Sequence, residues 1–172
     1  VAPNGVLLGT PGNSNVGANS VVVRATDSNG GFKNAGLNIE VINVNDAPEF
    51  TSDPVLGGNA IQDQNYSGSL AGFVSDIDPG DVLTFQKISG PLWLVVASNG
   101  ALSGSPGNAD VGSNAFVVRV EDSSNAIDLA ALNITVGNVN DAPIFAVNPM
   151  TRGAATEDSP YSATISGSAT DI

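Results

Sequence analysis

The stretch NVNDAPEF at residues 43–50 occurs a second time at residues 138–145, where it reads NVNDAPIF with a single change. The two copies are 95 positions apart (138 minus 43), and the similarity extends well beyond them. Residues 5–50 align with residues 100–145 without a gap, and 26 of these 46 positions are identical. A period this long indicates a string of similar domains rather than a solenoid of short units.

The repeat divides the chain into three segments. Residues 1–47 correspond to the last half of one repeat, residues 48–142 to a complete repeat, and residues 143–172 to the first third of another. The chain also starts with Val rather than Met. We therefore expect it to be a fragment of a longer array, and we call the three segments repeats one, two and three.

Hydrophobic and polar residues alternate along repeat two, and no segment keeps a helical period. Turn sequences such as DIDPGD (76–81) and PGNAD (106–110) separate the alternating runs. The predicted strands, A to G, lie near 54–62, 66–75, 82–89, 92–98, 101–105, 114–121 and 128–137. Seven short strands in about 95 residues predict an all-β fold of tandem immunoglobulin-like sandwiches.

Two aromatic residues are candidates for the core of this sandwich. Phe85 lies in an alternating strand and Trp93 in the run PLWL. Isolated aromatic residues in strands usually pack inside, so we expect both to be buried. The alternative for Trp93, which is the only Trp, is an exposed ring that stacks on a sugar.

The composition excludes several classes of protein. The net charge is −12 with only five Lys and Arg, which argues against binding to nucleic acid or to an anionic membrane surface. The absence of Cys and His excludes disulfides, thiolate chemistry and imidazole metal sites. There is also no nucleophile elbow or phosphate-binding loop, so we do not expect an enzyme. No stretch is long and apolar enough to insert into a membrane.

Thirteen of the 17 acidic residues are Asp, and the strand order gathers them at the two ends of repeat two. If consecutive strands alternate in direction, the B–C loop, the F–G turn and the linker that enters from repeat one meet at one end, the top pole. The members of the top pole are Asp76, Asp78, Asp81, Asp122, Asn43, Asn45 and Asp46. The opposite end, the bottom pole, gathers Asp63, Asp110, Asn138, Asn140, Asp141 and, from repeat three, Asp171.

Carboxylates crowded at one pole repel one another unless a cation neutralises them. Oxygen ligands of this kind suit Ca²⁺, which takes about 6–8 of them, better than Mg²⁺, which requires a strict octahedron. We therefore predict calcium binding at both poles. The competing interpretation is that these residues form ordinary Asx-turns in polar loops.

The segments PLWL (91–94), GALSGSPGNADVG (100–112), VRVEDSSN (118–125) and LNITVGNVNDAP (132–143) resemble the dystroglycan-type cadherin-like domain. This domain is also described as an immunoglobulin-like repeat of large bacterial surface proteins. The resemblance covers the complete repeat and both partial ones.

Cadherins hold calcium between domains with an Asp-x-Asn-Asp-Asn-x-Pro linker, a downstream Asp-x-Asp pair and a later single Asp. The resemblance implies that Asn45 and Asp46 match the central linker residues, that Asp76 and Asp78 match the pair, and that Asp122 matches the late Asp. Asn43 stands where cadherins have Asp, the linker is shorter, and the Glu-bearing motif from the middle of the preceding domain is missing. These departures imply fewer ions at each junction than in cadherins.

These observations predict a calcium-stiffened, rod-forming extracellular module of a larger repeat protein that acts in cell-surface adhesion. Its expected partners are the neighbouring repeats and a cell-surface glycan or protein receptor. We expect export from the cell and location outside it or on its surface, in a bacterium. The alternatives are homophilic adhesion between arrays, or a carbohydrate-binding accessory module of a polysaccharide-degrading enzyme.

Overall fold

The structure, a computed structural model, describes residues 4–171, so the first three residues of repeat one and the last of repeat three lie outside it. The described residues form β-strands and three short 3-10 helices (Asn13–Asn15, Ala71–Phe73 and Asn108–Asp110). The strands are β1 (Gly17–Thr26), β2 (Phe32–Val41), β3 (Glu49–Phe50), β4 (Val55–Leu56), β5 (Ala60–Ile61), β6 (Tyr66–Ser69), β7 (Val74–Ser75), β8 (Thr84–Ser89), β9 (Leu94–Val96), β10 (Ala101–Gly104), β11 (Gly112–Glu121), β12 (Ile127–Gly137), β13 (Ile144–Phe145) and β14 (Ala169–Thr170). Residues 4–171 include no helix with the length and apolar character needed to cross a bilayer.

Repeat two is the predicted sandwich of two sheets. One sheet has the strand order β4-β12-β11-β8, with β5 also pairing with β12, and the other has the order β6-β10-β9. The strands β4 and β5 run parallel to β12, while β11 is antiparallel to β12 and β8. These directions agree with the alternating path used to place the loops at the two poles.

Two predicted strands are each divided in the structure. Predicted strand A becomes β4 and β5 on either side of Gly57-Gly58, where a Cβ on Gly57 would lie 2.6 Å from Cγ1 of Ile134. Predicted strand B becomes β6 and β7, separated by the 3-10 helix Ala71–Phe73. Alternation alone misses both breaks, because a close backbone contact and a local 3-10 turn leave little trace in a period-2 pattern.

The core lies between the two sheets and follows the predicted alternation. Phe116, Val118 and Val120 of β11 are at most 2% exposed, and Phe85 is 7% exposed. Burying four such side chains contributes about 1.5–3 kcal/mol each relative to leaving them in water.

Trp93 packs against this core but is not fully enclosed. Its ring makes edge-on contacts with Tyr66 and Phe116, at centroid distances of 5.7 and 5.6 Å. Its Nε1 donates a hydrogen bond to Oδ1 of Asn114 at 3.0 Å. A Cβ on Gly104 would lie 2.0 Å from the carbonyl oxygen of Trp93, so only glycine fits at this point of the GALSGSP motif.

The other two segments form smaller sheets. In repeat one, β1 and β2 form a hairpin in the same register as β11 and β12, with Val21 opposite Leu37 as Phe116 is opposite Leu132. In repeat three, β13 pairs with β14 as β3 pairs with β7. Phe50 after the first linker is 6% exposed, whereas its counterpart Phe145 is 53% exposed, because residues 143–171 place only one short strand pair around it.

Candidate metal centre

The B–C loop carries three of the predicted top-pole ligands. Asp76 and Asp78 lie two residues apart in the extended chain after β7, and the Pro79-Gly80 turn brings Asp81 back towards them, with Gly80 at φ +91°. One carboxylate oxygen of each of the three lies within 4.8 Å of those of the other two. The backbone N–H of Asp78 donates to Oδ1 of Asp76 at 2.9 Å, which fixes the loop locally.

The F–G turn brings in Asp122, as predicted from the strand order. Its Oδ1 accepts hydrogen bonds from the N–H groups of Ser124 at 2.8 Å and Ala126 at 2.9 Å, so one oxygen holds the tight turn between β11 and β12. The backbone N–H of Val82 donates to Oγ of Ser123 at 3.0 Å, and this bond ties the B–C loop to the F–G turn. Two loops that are about 40 residues apart in sequence therefore form one surface.

The linker between repeats one and two also reaches the top pole. Nδ2 of Asn45 donates to Oδ2 of Asp122 at 2.8 Å, and the backbone N–H of Asp46 donates to Oδ2 of Asp78 at 2.6 Å. The carboxylate of Asp46 points the other way and accepts a hydrogen bond from Nδ2 of Asn13 in repeat one at 2.6 Å. Asp46 is thus bonded to the repeats on both sides of the linker.

Three carboxylate oxygens at this pole are buried without any hydrogen-bond partner: Oδ2 of Asp76, Oδ1 of Asp78 and Oδ2 of Asp81. The ion pair found among residues 4–171 joins Arg119 to Glu121, so no basic side chain neutralises these three groups. A buried, unpaired carboxylate is costly, and native proteins pair such charges or coordinate a metal with them. The orphaned oxygens belong to the same three residues that form the 4.8 Å cluster, and this donor set fits a divalent cation.

The pKa values of Asp81 and Asp122 show the same contrast between a carboxylate without compensating partners and one with hydrogen-bond donors. Removal from water raises the pKa of Asp81 above its ordinary value, and the charges of Asp76, Asp122 and Asp78 raise it further. The hydrogen bond from Asn45 lowers the pKa of Asp122, with help from the backbone N–H groups of its turn and against the effect of burial. Asp122 is therefore a satisfied carboxylate, whereas Asp81 lacks a compensating positive charge.

The bottom pole is built differently. Asp63 and Asp141 lie on either side of the buried Gln62, whose Nε2 donates to Oδ2 of Asp63 at 3.1 Å and to Oδ2 of Asp141 at 3.0 Å. Asn140 donates from Nδ2 to the carbonyl oxygen of Asp141 at 2.9 Å, as Asn45 does to Asp46. No side-chain hydrogen bond among residues 4–171 involves Asp171, which follows β14 as Asp76 follows β7.

The sequence pattern did not identify two residues that complete these poles. Gln62 differs in sequence from its counterpart Glu157, but its contact with Asp141 depends on the meeting of the A–B turn with the linker after β12. Asn13 lies in a 3-10 helix of repeat one, 33 residues from Asp46. The internal repeat offers a partial signal for both, because Asn13 recurs as Asn108 and the turn at Asp63 recurs at Asp158 with the same φ of 58°.

Comparison with known proteins places these observations in a family. The family model described as "Putative Ig domain" matches residues 48–137. An endo-fucoidan hydrolase of glycoside hydrolase family 107 is 30% identical over 81% of this chain and 22% of its own, with a TM-score of 0.53. No curated protein matches the chain.

Cadherin structures are similar in fold at lower identity. The protocadherin gamma B4 extracellular domain is 20% identical over 81% of this chain and 25% of its own, with a TM-score of 0.60. The human mucin-like protocadherin EC1-2 is 19% identical over 69% of each chain, with a TM-score of 0.52. The chain thus spans about a quarter or less of the hydrolase and of protocadherin gamma B4. On the match over residues 48–137, the chain belongs to the "Putative Ig domain" family and carries a cadherin-like β-sandwich.

Proposed function

We propose that this chain is a calcium-binding, rod-forming extracellular module of a larger repeat protein that acts in cell-surface adhesion. The observation that carries the proposal is the set of three buried oxygens without partners, on Asp76, Asp78 and Asp81, at the point where the linker from repeat one meets repeat two. A structural cation at that point neutralises the cluster and joins the two repeats. The likeness in fold to protocadherins agrees with a repeat that works in a series.

Calcium fits the donor set better than magnesium. The available ligands are carboxylate and amide oxygens from two loops and a linker, which suits the irregular shell of about 6–8 oxygens that Ca²⁺ accepts. Asp76, Asp78 and Asp81 supply the direct ligands. The backbone N–H of Asp46 donates to Asp78, and Asn45 donates to Asp122 at the same pole. Only three carboxylates of the pole keep a buried oxygen without a donor, so we expect the affinity of extracellular modules, roughly 10⁻⁴–10⁻³ M.

The mechanical consequence follows from the position of Asp46. Its backbone is bonded to Asp78 of repeat two and its side chain to Asn13 of repeat one. With calcium bound, the B–C loop and the linker share one centre, so the angle between the repeats is fixed. Without calcium the carboxylates repel one another, and an interface with few apolar residues allows the repeats to move.

Carbohydrate binding is the second candidate, and the likeness to the endo-fucoidan hydrolase at 30% identity favours it. A sugar site in such a module normally presents an exposed aromatic ring. Within repeat two every aromatic side chain is buried or half-buried, and Trp93 lies between Tyr66 and Phe116. These contacts favour the structural role over the sugar-binding one, and we propose no catalytic activity for the chain.

Calorimetric titration of the whole chain with calcium tests the proposal. We expect saturable binding that Asp76→Ala abolishes, while Asp53→Ala leaves it unchanged, because Asp53 lies outside the pole and accepts a hydrogen bond from Ala131. Equal binding by both variants would place the ion elsewhere and refute the assignment. Affinity electrophoresis in gels that contain fucoidan tests the second candidate, and retardation of the chain would support it.

A further inference from the structure

The bottom pole of repeat two is closed by a neutral side chain. Gln62 follows β5 and is 1% exposed, which makes it one of the most buried polar residues of the described chain. Its backbone N–H donates to the carbonyl oxygen of Gly137 at 2.9 Å, so it lies directly beside the end of β12. The linker into repeat three leaves the sandwich at that point.

The side-chain amide of Gln62 makes hydrogen bonds through both its nitrogen and its oxygen. Both of its N–H directions are occupied, one by Asp63 at 3.1 Å and the other by Asp141 at 3.0 Å. Its Oε1 accepts a hydrogen bond from the backbone N–H of Val139 at 3.2 Å. One buried amide therefore contacts the linker twice and also separates two carboxylates that would otherwise face each other.

The two poles of repeat two differ in this respect. At the top pole, three carboxylate oxygens are left without partners, and the amide that reaches Asp46 comes from the exposed Asn13. At the bottom pole, Asp141 receives its amide from a fully buried side chain. A hydrogen bond shielded from water is harder to replace by solvent, so the second contact holds the linker more firmly.

We propose that Gln62 is a metal-independent clasp, which holds the linker after repeat two in place by hydrogen bonds. The equivalent turn of repeat three has the same φ of 58° at Asp158 but carries Glu157 in place of Gln62. A carboxylate in that position cannot donate to two others.

Hydrogen exchange of the Val139 amide, measured by NMR on the whole chain, tests the clasp. In wild-type protein the rate is the same in chelator and in millimolar calcium. Gln62→Met removes the acceptor at similar volume and speeds exchange by roughly tenfold or more, the loss expected for a buried hydrogen bond. Gln64→Met is the matched control at an exposed position and has no effect. The amide of Leu132 in β12 is the internal reference for global unfolding.

A second variant tests the donating side of the amide. Gln62→Glu brings a third carboxylate between Asp63 and Asp141, so we expect its melting temperature in chelator at neutral pH to fall several degrees below that of Gln64→Glu. Equal melting temperatures would overturn the clasp. Loss of Val139 protection in wild-type protein on chelation would also overturn it, and this result needs no variant. Because the clasp is tested without metal, its failure is separate from a failure of the calcium site at Asp76.

Discussion

Asp78→Asn should be at least as stable as wild type in chelator but should lose stability relative to wild type when calcium is added. Asp78 is 7% exposed, its Oδ2 accepts the backbone N–H of Asp46 at 2.6 Å, and its Oδ1 is buried without a partner. Asn has the same shape and keeps an oxygen for Asp46, but it carries no charge. The substitution therefore removes repulsion within the cluster and, at the same time, one ligand of the proposed ion.

The two effects can be compared through ligand binding. In chelator only the loss of repulsion acts, so Asp78→Asn should be at least as stable as wild type. At a calcium concentration ten times the dissociation constant, wild type gains about 1.4 kcal/mol for each site. A variant with tenfold weaker binding gains about 0.4 kcal/mol under the same conditions. Calcium should therefore shift the difference between the two proteins by about 1 kcal/mol, or roughly 4–8 °C for a domain of this size.

Urea unfolding followed by Trp93 fluorescence measures this difference. Trp93 is the only Trp of the chain and packs against the core of repeat two, so its signal reports on that repeat alone. Asp53→Asn is the matched control, because its carboxylate also accepts one backbone N–H group but lies outside the pole. If Asp78→Asn were less stable than wild type by the same amount in chelator and in calcium, the residue would be a structural acceptor and not a ligand.

Three further predictions follow from the same structure. Leu132→Ala removes a side chain that is 0% exposed and should cost about 2–5 kcal/mol in the free energy of unfolding. Leu129→Ala, at a residue of the same strand that is 49% exposed, should cost less than about 1 kcal/mol. Urea unfolding followed by Trp93 fluorescence distinguishes the two variants. In chelator, the raised pKa of Asp81 means that the folded state binds this proton more readily than the unfolded chain. Stability should therefore rise as the pH falls through that pKa towards the ordinary Asp value, and Asp81→Asn should remove this rise in urea titrations at several pH values. Two complete repeats joined by NVNDAP should show a longer maximum dimension by small-angle scattering in millimolar calcium than in chelator. Their far-ultraviolet circular dichroism spectrum should stay unchanged. Superimposable scattering curves would show that calcium does not stiffen the junction.

Much of the fold could be predicted because its signals are local. Alternation predicted strands near 114–121 and 128–137, which are β11 and β12, and their inward residues Phe116, Val118 and Leu132 are at most 2% exposed. The break in predicted strand A was missed, because it depends on the approach of Ile134 to Gly57, a residue 77 positions away. Local alternation carries no record of a contact that distant in sequence.

For the candidate site, the positions of the carboxylates could be predicted from the sequence, but their hydrogen-bond partners could not. Strand direction was enough to bring Asp76, Asp78, Asp81 and Asp122 to one pole, since antiparallel strands return their loops to the same end of a sandwich. It could not say which oxygens would lack partners. Asp122 is satisfied by Asn45 and by its own turn, while the three carboxylates of the B–C loop keep buried oxygens without donors.

By itself, the sequence determined the repeat, the alternating strands and the acidic loops, because each of these depends on residues that are close together in the chain or on an exact internal period. Only the tertiary structure decided how each junction is closed. Gln62 and Asp141 are 79 residues apart, and they meet because β5 runs beside β12 and ends where the linker begins. A pole where an amide bonds two carboxylates and a pole where carboxylates lack donors have similar compositions. They differ in which donor the fold brings within about 3 Å of which oxygen.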